Sequence, residues 1–127
     1  MRFEDLEVWK LSAQLSAEIY NKLGNSRNFS FRDQITKSGL SISSNIAEGF
    51  ERESKKECIH FLSIARGSCG ELRSQIYIGI KINIIDQKTG NNWIKRTQNI
   101  SKMLTGLMKT KKDFIKSDCQ ALLVQKL

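Results

Sequence analysis

The sequence lacks proline entirely, and aromatic side chains make up only 8% of it. A proline-free chain in which 39% of residues are hydrophobic and 27% are charged favours helices over a fold with many tight turns. No apolar run approaches the length of about 18 residues that a membrane span requires, and the acidic start MRFEDLEVWK differs from a signal peptide. We therefore expect a cytoplasmic protein that makes no membrane contact.

Residues that bind metals or form disulfides are also few. The three cysteines, Cys58, Cys69 and Cys119, are an odd number at spacings that match neither a disulfide framework nor a zinc knuckle. The single histidine, His60, lies two positions from Cys58, so on a helix the two side chains point about 200° apart. P-loop, G-x-S-x-G and dinucleotide motifs are absent. We expect reduced thiols, no metal, no cofactor and no enzymatic activity.

The formal net charge of +8 is concentrated towards the end of the chain. Residues 1–87 carry 12 basic and 11 acidic side chains, whereas residues 88–127 carry 9 basic and 2 acidic ones. Such an asymmetry favours an anionic partner, of which nucleic acid is the commonest. The alternative is a solvated basic face that only keeps the protein soluble.

The first helical pattern covers residues 4–23 and has two apolar stripes. One stripe, which contains Trp9, Ala13 and Tyr20, is expected to face the core of a bundle. The second lies about 135° round the helix axis. Because two stripes exceed what one core needs, we expect the second to contact another subunit. This predicted subunit interface consists of Val8, Leu11, Leu15 and Ile19.

Capping residues predict the bounds of three further amphipathic helices. Ser30 is expected to cap helix two, and Gly49 to end it. Ser54 and Glu57 form a capping box at the start of helix three, and Asp86 can cap helix four.

Two further predictions concern the conformation and packing of glycines. Gly24 is expected to end helix one in a left-handed conformation. Gly67 and Gly70 lie within helix three, where each glycine costs up to ~1 kcal/mol, so we expect a neighbouring helix to cross closely there.

Four amphipathic helices with short connections and no strand signal predict an all-α fold, an antiparallel up-and-down four-helix bundle. We expect this bundle to span residues 1–116. Residues 117–127 would form a C-terminal extension, interpretable equally as a frayed end or as a docking peptide.

Lysines recur every seven residues in helix four, at Lys88, Lys95, Lys102, Lys109 and Lys116. Seven residues are nearly two helical turns, so these amines share one slowly drifting face, opposite the apolar stripe. A helix that begins near residue 92 would leave out the first of them. No acid occurs between residues 86 and 113 to alternate with the cations, which favours phosphates as the partner. The predicted nucleic-acid-binding residues are Lys95, Arg96, Lys102, Lys109, Lys111 and Lys112, with Lys37, Arg66 and Arg73 as second choices.

Four motifs occur in the order found in a known family. They are FEDLEVWK near the start, SISSNIAEG at residues 41–49, ERESKKE at residues 51–57, and FLSIARGSCGEL in helix three. Through them the chain resembles the four-helix-bundle proteins encoded in intervening sequences of bacterial 23S ribosomal RNA genes, often described as ribosomal proteins. The likeness covers roughly residues 2–112.

The resemblance implies a short bundle that assembles into a ring-like homopentamer and has no known catalytic activity. A structurally similar relative is the accessory protein of diversity-generating retroelements, a basic pentamer that binds nucleic acid and a reverse transcriptase. This chain departs from the family pattern at Ser43, where proline is usual, and at Thr36, which replaces one member of a basic pair with Lys37. The positions that match the pattern include Ser41, Asn45, Glu48, Gly49, Arg52, Ser68 and Glu71.

Two groups of residues admit both a functional and a structural interpretation. The motif carboxylates Glu48 and Glu71 could perform acid–base chemistry, or could form ion pairs that set helix register. Trp9 and Trp93 could stack on bases, or could pack in the core. The function expected is a non-enzymatic oligomer that binds RNA or single-stranded nucleic acid through phosphates. The alternative is an accessory subunit, for example a partner of a reverse transcriptase.

Overall fold

A computed structural model of the chain describes the backbone of residues 2–125 and the side chains of residues 2–113. A short 3₁₀ turn, Phe3–Asp5, precedes four helices, and the described residues contain no strand. The all-α, four-helix prediction is therefore confirmed. The helices are α1 (Glu7–Leu23), α2 (Phe29–Glu51), α3 (Lys55–Lys81) and α4 (Gln87–Gln125).

Each helix packs beside the next one along the chain, and α1 returns to touch α4 over a shorter length. The result is a four-sided, up-and-down bundle around one apolar core. Its largest fully buried side chain is Trp93 of α4, which lies among isoleucines and leucines from all four helices. The buried residues include Leu15, Ile19, Ile35, Ile42, Ile46, Leu62, Leu72, Ile76, Ile100 and Leu104.

The predicted caps of α3 and α4 are confirmed. The Ser54 hydroxyl accepts a hydrogen bond of 3.3 Å from the backbone N–H of Glu57. Asp86 Oδ2 accepts one of 2.9 Å from the backbone N–H of Thr89, and this contact is the main reason that the pKa of Asp86 is lowered. Because α4 begins at Gln87, Lys88 lies within the helix.

Two predicted helix ends and one predicted conformation were wrong. Helix α2 begins at Phe29 after Asn28, so Ser30 lies inside the helix. Helix α1 ends at Leu23, before Gly24, as predicted. Gly24 itself has a φ of −62° and is right-handed, because its N–H bonds to the carbonyl of Tyr20. Gly49 does not end α2, which runs on to Glu51. A Cβ on Gly49 would lie 3.1 Å from the Cys58 carbonyl oxygen, so this glycine permits α2 to approach α3.

The predicted close crossing at the centre of α3 was also wrong. A Cβ on Gly67 would meet no atom within 4 Å, and one on Gly70 would meet only Arg73, at 3.9 Å. The helix periodicity places Gly67 on the outer side of α3, away from the core residues Ala65 and Cys69.

The two stripes of α1 are exchanged relative to the prediction. Val8, Leu15 and Ile19 are buried in the core of this chain, and Leu11 packs partly against it. They are therefore not available as the predicted subunit interface. The β-branched and leucine side chains of this stripe fill the bundle. In the other stripe Tyr20 faces outwards, while Trp9 is half-buried against the core.

Helix α4 is continuous across residue 116, where the sequence suggested a boundary. The side chains of Phe114 and Lys116, and those of the predicted extension 117–127, lie outside the described residues.

Candidate functional site

The lysines spaced by seven on α4 lie on its exposed face. Lys88, Lys95, Lys102 and Lys109 are all exposed, and among the described side chains none has a carboxylate within salt-bridge distance. Lys116 lies outside the described side chains. An unpaired amine on a rigid helix keeps its full charge available for an anionic ligand.

These lysines do not all face the same cleft. Lys88 and Lys95 line clefts between α4 and α1, the second of which also contains Leu11. Lys109 lines the cleft between α4 and α3. A repeat of seven falls about 20° short of two full helical turns, so successive amines rotate steadily around the helix.

The cleft between α3 and α4 brings together three of the nine predicted cations, Arg66, Lys109 and Lys112. We refer to it as the basic groove; its volume is about 640 Å³. Arg66 of α3 crosses towards α4 and donates a hydrogen bond of 3.2 Å to the Thr105 hydroxyl. The groove is lined by Lys56, Ile59, Arg66, Thr105, Met108, Lys109, Lys112 and Asp113.

The basic groove combines cationic edges with an apolar floor. Among the side chains described up to residue 113, its four cations face a single carboxylate, that of Asp113, while Ile59 and Met108 supply apolar surface. Such an arrangement can bind phosphates at its edges without reading base identity. Among the described side chains, no three histidines, cysteines or acids are grouped as metal ligands.

Six of the nine predicted binding residues lie outside the basic groove. Lys95 lines a cleft between α4 and α1, and Lys102 is exposed on α4. Arg96 is bound to Glu18 of α1, at 2.5 Å. The Lys111 amine lies 4.7 Å from the centre of the Phe50 ring, in a cation–π contact. Arg73 is half-buried on α3. Lys37 lines a different cleft, between α1 and α2.

Lys56 is the groove residue that the sequence did not suggest. It lies in the first turn of α3, which is near neither the lysine repeat nor the C-terminal cations in sequence. The antiparallel packing of α3 on α4 brings it to the same cleft as Lys109 and Lys112. Only this helix pairing, combined with the helix phase, could have identified it.

Comparison with known proteins agrees with this architecture. The family model described as 23S rRNA-intervening sequence protein matches residues 4–106. The chain belongs to this family. A crystal structure from Bacteroides thetaiotaomicron, of a protein with unknown function from the S23 ribosomal protein family, has a similar fold. The two chains are 24% identical and superpose with a TM-score of 0.76, over 80% of this chain and 98% of that one.

No curated protein matches the sequence of this intervening-sequence family member. Within residues 2–125, no helix has both the length and the apolar composition needed to cross a membrane.

Several of the motif residues that carried the family resemblance lie along the side of the bundle where α2 meets α3. The Ser41 and Ser68 hydroxyls share a hydrogen bond of 2.9 Å that joins the two helices. The side-chain amide of Asn45 donates to the Ser41 hydroxyl and to its carbonyl, at 3.0 and 2.8 Å. These contacts favour a structural role for this part of the motif.

The remaining motif residues also make contacts within the bundle. Arg52 forms an ion pair of 2.7 Å with Glu48, one turn earlier on α2, and its guanidinium lies 5.0 Å from the centre of the Phe61 ring. Glu71 is exposed and accepts a long hydrogen bond of 3.5 Å from Gln75. These contacts engage Glu48 with a cation and leave Glu71 facing outwards.

The described thiols and tryptophans lie largely in the interior. Cys58 and Cys69 are buried, and burial is the main cause that raises the pKa of each thiol. The Cys69 thiol donates to the carbonyl of Thr97, with an S–O distance of 3.1 Å. Trp93 is in the core, as predicted, and the half-buried Trp9 packs edge-on against Phe3.

Proposed function

We propose that this protein is a non-enzymatic, homo-oligomeric bundle that binds RNA or single-stranded nucleic acid through the basic groove. The observation that supports the proposal is the convergence of Lys56, Arg66, Lys109 and Lys112 on one cleft, whose described lining holds a single carboxylate. These cations come from two helices that pack along their length, so the spacing of their charges is fixed by the bundle. Phosphates need such preplaced charge, which favours this cleft over the rest of the surface.

The binding mode follows from the chemistry of the groove. Phosphate contacts position a nucleic acid but carry no sequence information, so we expect weak sequence selectivity and strong salt dependence. The apolar floor of Ile59 and Met108 gives unpaired bases a surface to lie against. A duplex keeps its bases stacked and would not use that surface, which favours single strands.

Assembly would strengthen such binding. A homopentamer, which the family resemblance implies, would present the groove five times. Several weak phosphate sites on one particle act on the same strand at high effective concentration. The proposed oligomer therefore explains how a shallow groove could retain RNA at physiological salt.

The direct test removes three charges from the groove. We expect the variant Arg66→Gln, Lys109→Gln and Lys112→Gln to bind a fluorescent single-stranded RNA more weakly than the unaltered protein does. A plot of log affinity against log salt concentration has a negative slope, and its magnitude should decrease by about 2. Each phosphate neutralised on a single strand contributes ~0.7 to that magnitude. Fluorescence anisotropy between low and moderate salt measures both quantities.

The matched control removes three exposed charges elsewhere, at Lys10, Arg27 and Lys81. It changes the net charge by the same amount, so a general field effect would weaken both variants equally. An equal loss of affinity and of slope in the two variants would contradict a binding site in the groove.

The rival function is an accessory protein subunit, for example for a reverse transcriptase, that uses the same cations against an acidic protein. Affinity capture from lysate before and after nuclease digestion distinguishes the two. We expect RNA to be the species that the protein retains, and a protein held equally well after digestion would favour the rival.

A further inference from the structure

A second cleft, between α1 and α2, is large and apolar. We call it the apolar groove; its volume is about 680 Å³. Two of its large side chains are mostly exposed, Tyr20 at 65% and Leu40 at 59%. Trp9, Ala13 and Ala17 line the cleft between them. A continuous apolar surface of this kind on a small domain indicates a protein contact.

Helix α3 carries an apolar ridge that this chain also leaves uncovered. Ile64 and Ile78 are 39% and 50% exposed, and they are two repeats of seven apart, with Glu71 midway between them. Gly67 lies on the same face, and a Cβ there would meet no atom within 4 Å. A glycine in an exposed helix interior is unfavourable for the isolated chain, so it is better explained by a close approach from outside.

We infer that the apolar groove of one copy receives the α3 ridge of a second copy. Every copy of the chain carries both surfaces. A second copy can therefore offer its ridge to the groove of the first, and its groove to the ridge of another copy. Their charges also match. Asp33 and Lys37 both line the apolar groove. Asp33 is paired with Arg32 at 3.0 Å, whereas Lys37 has no ion pair among the described side chains, and Glu71 is exposed in the middle of the ridge. A cation at the groove facing a carboxylate at the ridge would fix the register of the contact.

The positions of the two surfaces determine what the contact builds. The ridge lies on the α2 side of α3, because Ile64 and Glu71 are within one turn of Ser68, which bonds to Ser41 of α2. The groove and the ridge therefore occupy adjacent sides of the four-sided bundle. A contact between two different surfaces on adjacent sides rotates each copy relative to the last, and it closes a ring when these rotations sum to a full turn.

This inference deepens the oligomer part of the proposed function and rests on it. It also leaves the basic groove open, because that cleft lies on the α3–α4 side, opposite the apolar groove. Assembly and RNA binding therefore use separate surfaces and can be tested separately.

A charge exchange tests the register. We expect Lys37→Glu and Glu71→Lys each to lower the assembled mass, measured by size-exclusion chromatography with light scattering at several protein concentrations. The double variant Lys37→Glu, Glu71→Lys restores an attractive pair and should recover the mass of the unaltered protein. Failure of the double variant to recover, when both single variants dissociate, would overturn the pairing of these two residues.

A second pair of variants tests the ridge without relying on charge. Gly67→Gln adds a side chain where this chain has open space, and we expect it to prevent assembly while circular dichroism stays unchanged. The matched control is Gly106→Gln on α4, which also has no atom within 4 Å of an added Cβ and lies off the ridge. Equal masses for the two variants would overturn the inference.

The outcome for RNA distinguishes this inference from the proposed function. Unaltered protein that is monomeric at every concentration would overturn the inference and the proposed ring, while RNA binding by the basic groove would stand if its salt slope persists. If the protein assembles and its mass is unchanged by Gly67→Gln and by both charge reversals, the inference about which surfaces meet is overturned. The proposed oligomer would then still stand.

Discussion

The guanidinium of Arg96 on α4 lies 2.5 Å from a carboxylate oxygen of Glu18 on α1. Helices α1 and α4 touch over a shorter length than the other neighbouring pairs, and polar contacts connect them. At the end of α1, the Lys22 amine donates to the Thr89 hydroxyl at 2.9 Å and lies 3.8 Å from Asp86. Arg96 thus contributes to closing the bundle, although its sequence neighbour Lys95 is exposed.

Replacing Arg96 should therefore affect stability more than RNA binding. We expect Arg96→Gln to lower the free energy of unfolding by about 0.5 kcal/mol, since the pair is partly exposed. The same charge change in Lys109→Gln should weaken RNA binding more and leave stability unchanged. Urea denaturation and anisotropy titrations provide the comparison, and an RNA affinity that falls equally in both variants would place Arg96 in the binding site.

Gly49 should not tolerate a methyl group, although it lies in a helix. An added Cβ would lie 3.1 Å from the Cys58 carbonyl oxygen and 3.2 Å from the Phe61 Cβ, so α2 and α3 would have to separate. We expect Gly49→Ala to destabilise the protein by about 1–2 kcal/mol, as overpacking does. The control, Gly106→Ala, should stabilise it by up to ~1 kcal/mol, because that position is open. Two changes of the same sign in thermal denaturation would be inconsistent with this explanation.

Ser68 should contribute to stability through its bond to Ser41. We expect Ser68→Ala to lower the free energy of unfolding by about 1 kcal/mol, because it leaves the partly buried Ser41 hydroxyl with fewer partners. Ser44→Ala, at an exposed position one turn from Ser41 on the same helix, should change it by less than ~0.5 kcal/mol. Chemical denaturation of both variants measures the two changes in the free energy of unfolding. Equal changes would show that the hydrogen bond between Ser41 and Ser68 does not contribute to stability.

The buried thiols should make the protein less stable in alkali. Burial raises the pKa of Cys58 and Cys69, so the unfolded chain loses these protons first, near pH 8.5. The stability associated with the protonated thiols is complete below that pH and is lost as pH rises above it.

The measurement is the urea midpoint at pH 7 and at pH 9.5. We expect Cys69→Ala to have a lower midpoint at pH 7 but a smaller decrease between the two pH values. All other titrating groups are common to both proteins, so a decrease of equal size would show that Cys69 does not contribute.

Lys56 should behave as a phosphate contact despite its distance in sequence from the other cations. We expect Lys56→Gln to reduce the salt slope of RNA binding by about 0.7, as for one contact to a single strand. The exposed Lys10 lies on α1 and is its control. If Lys56→Gln and Lys10→Gln give the same slope, the groove does not extend to the start of α3.

The apolar periodicity was sufficient to predict the helices but not all of their ends. Ser54 and Asp86 cap as predicted because a side-chain acceptor is the only local partner for the first N–H groups. Gly24 follows the end of α1 as predicted but is right-handed, and Gly49 did not end α2. At Gly49 the reason is tertiary, because a glycine that stops a helix and one that lets another helix approach look alike in a sequence.

The site required the helix pairing. The lysine repeat correctly indicated an exposed face of α4, since burying a row of amines without carboxylates is prohibitively unfavourable. It could not indicate that Glu18 would engage Arg96, that Phe50 would hold Lys111, or that α3 would supply Lys56. The choice between the two stripes of α1 failed for the same reason, because both have helical spacing and only packing distinguishes them.

The slow rotation of the lysine repeat around α4 sets a geometric condition on any long ligand. Between Lys88 and Lys109 the amines shift by about 60°, from the α1 side of the helix to the α3 side. A polymer that touched all four amines would have to cross the axis of α4 obliquely. One that ran parallel to this axis would contact only some of the four lysines. The difference between a seven-residue repeat and two full helical turns thus sets the angle at which a long ligand would have to cross α4.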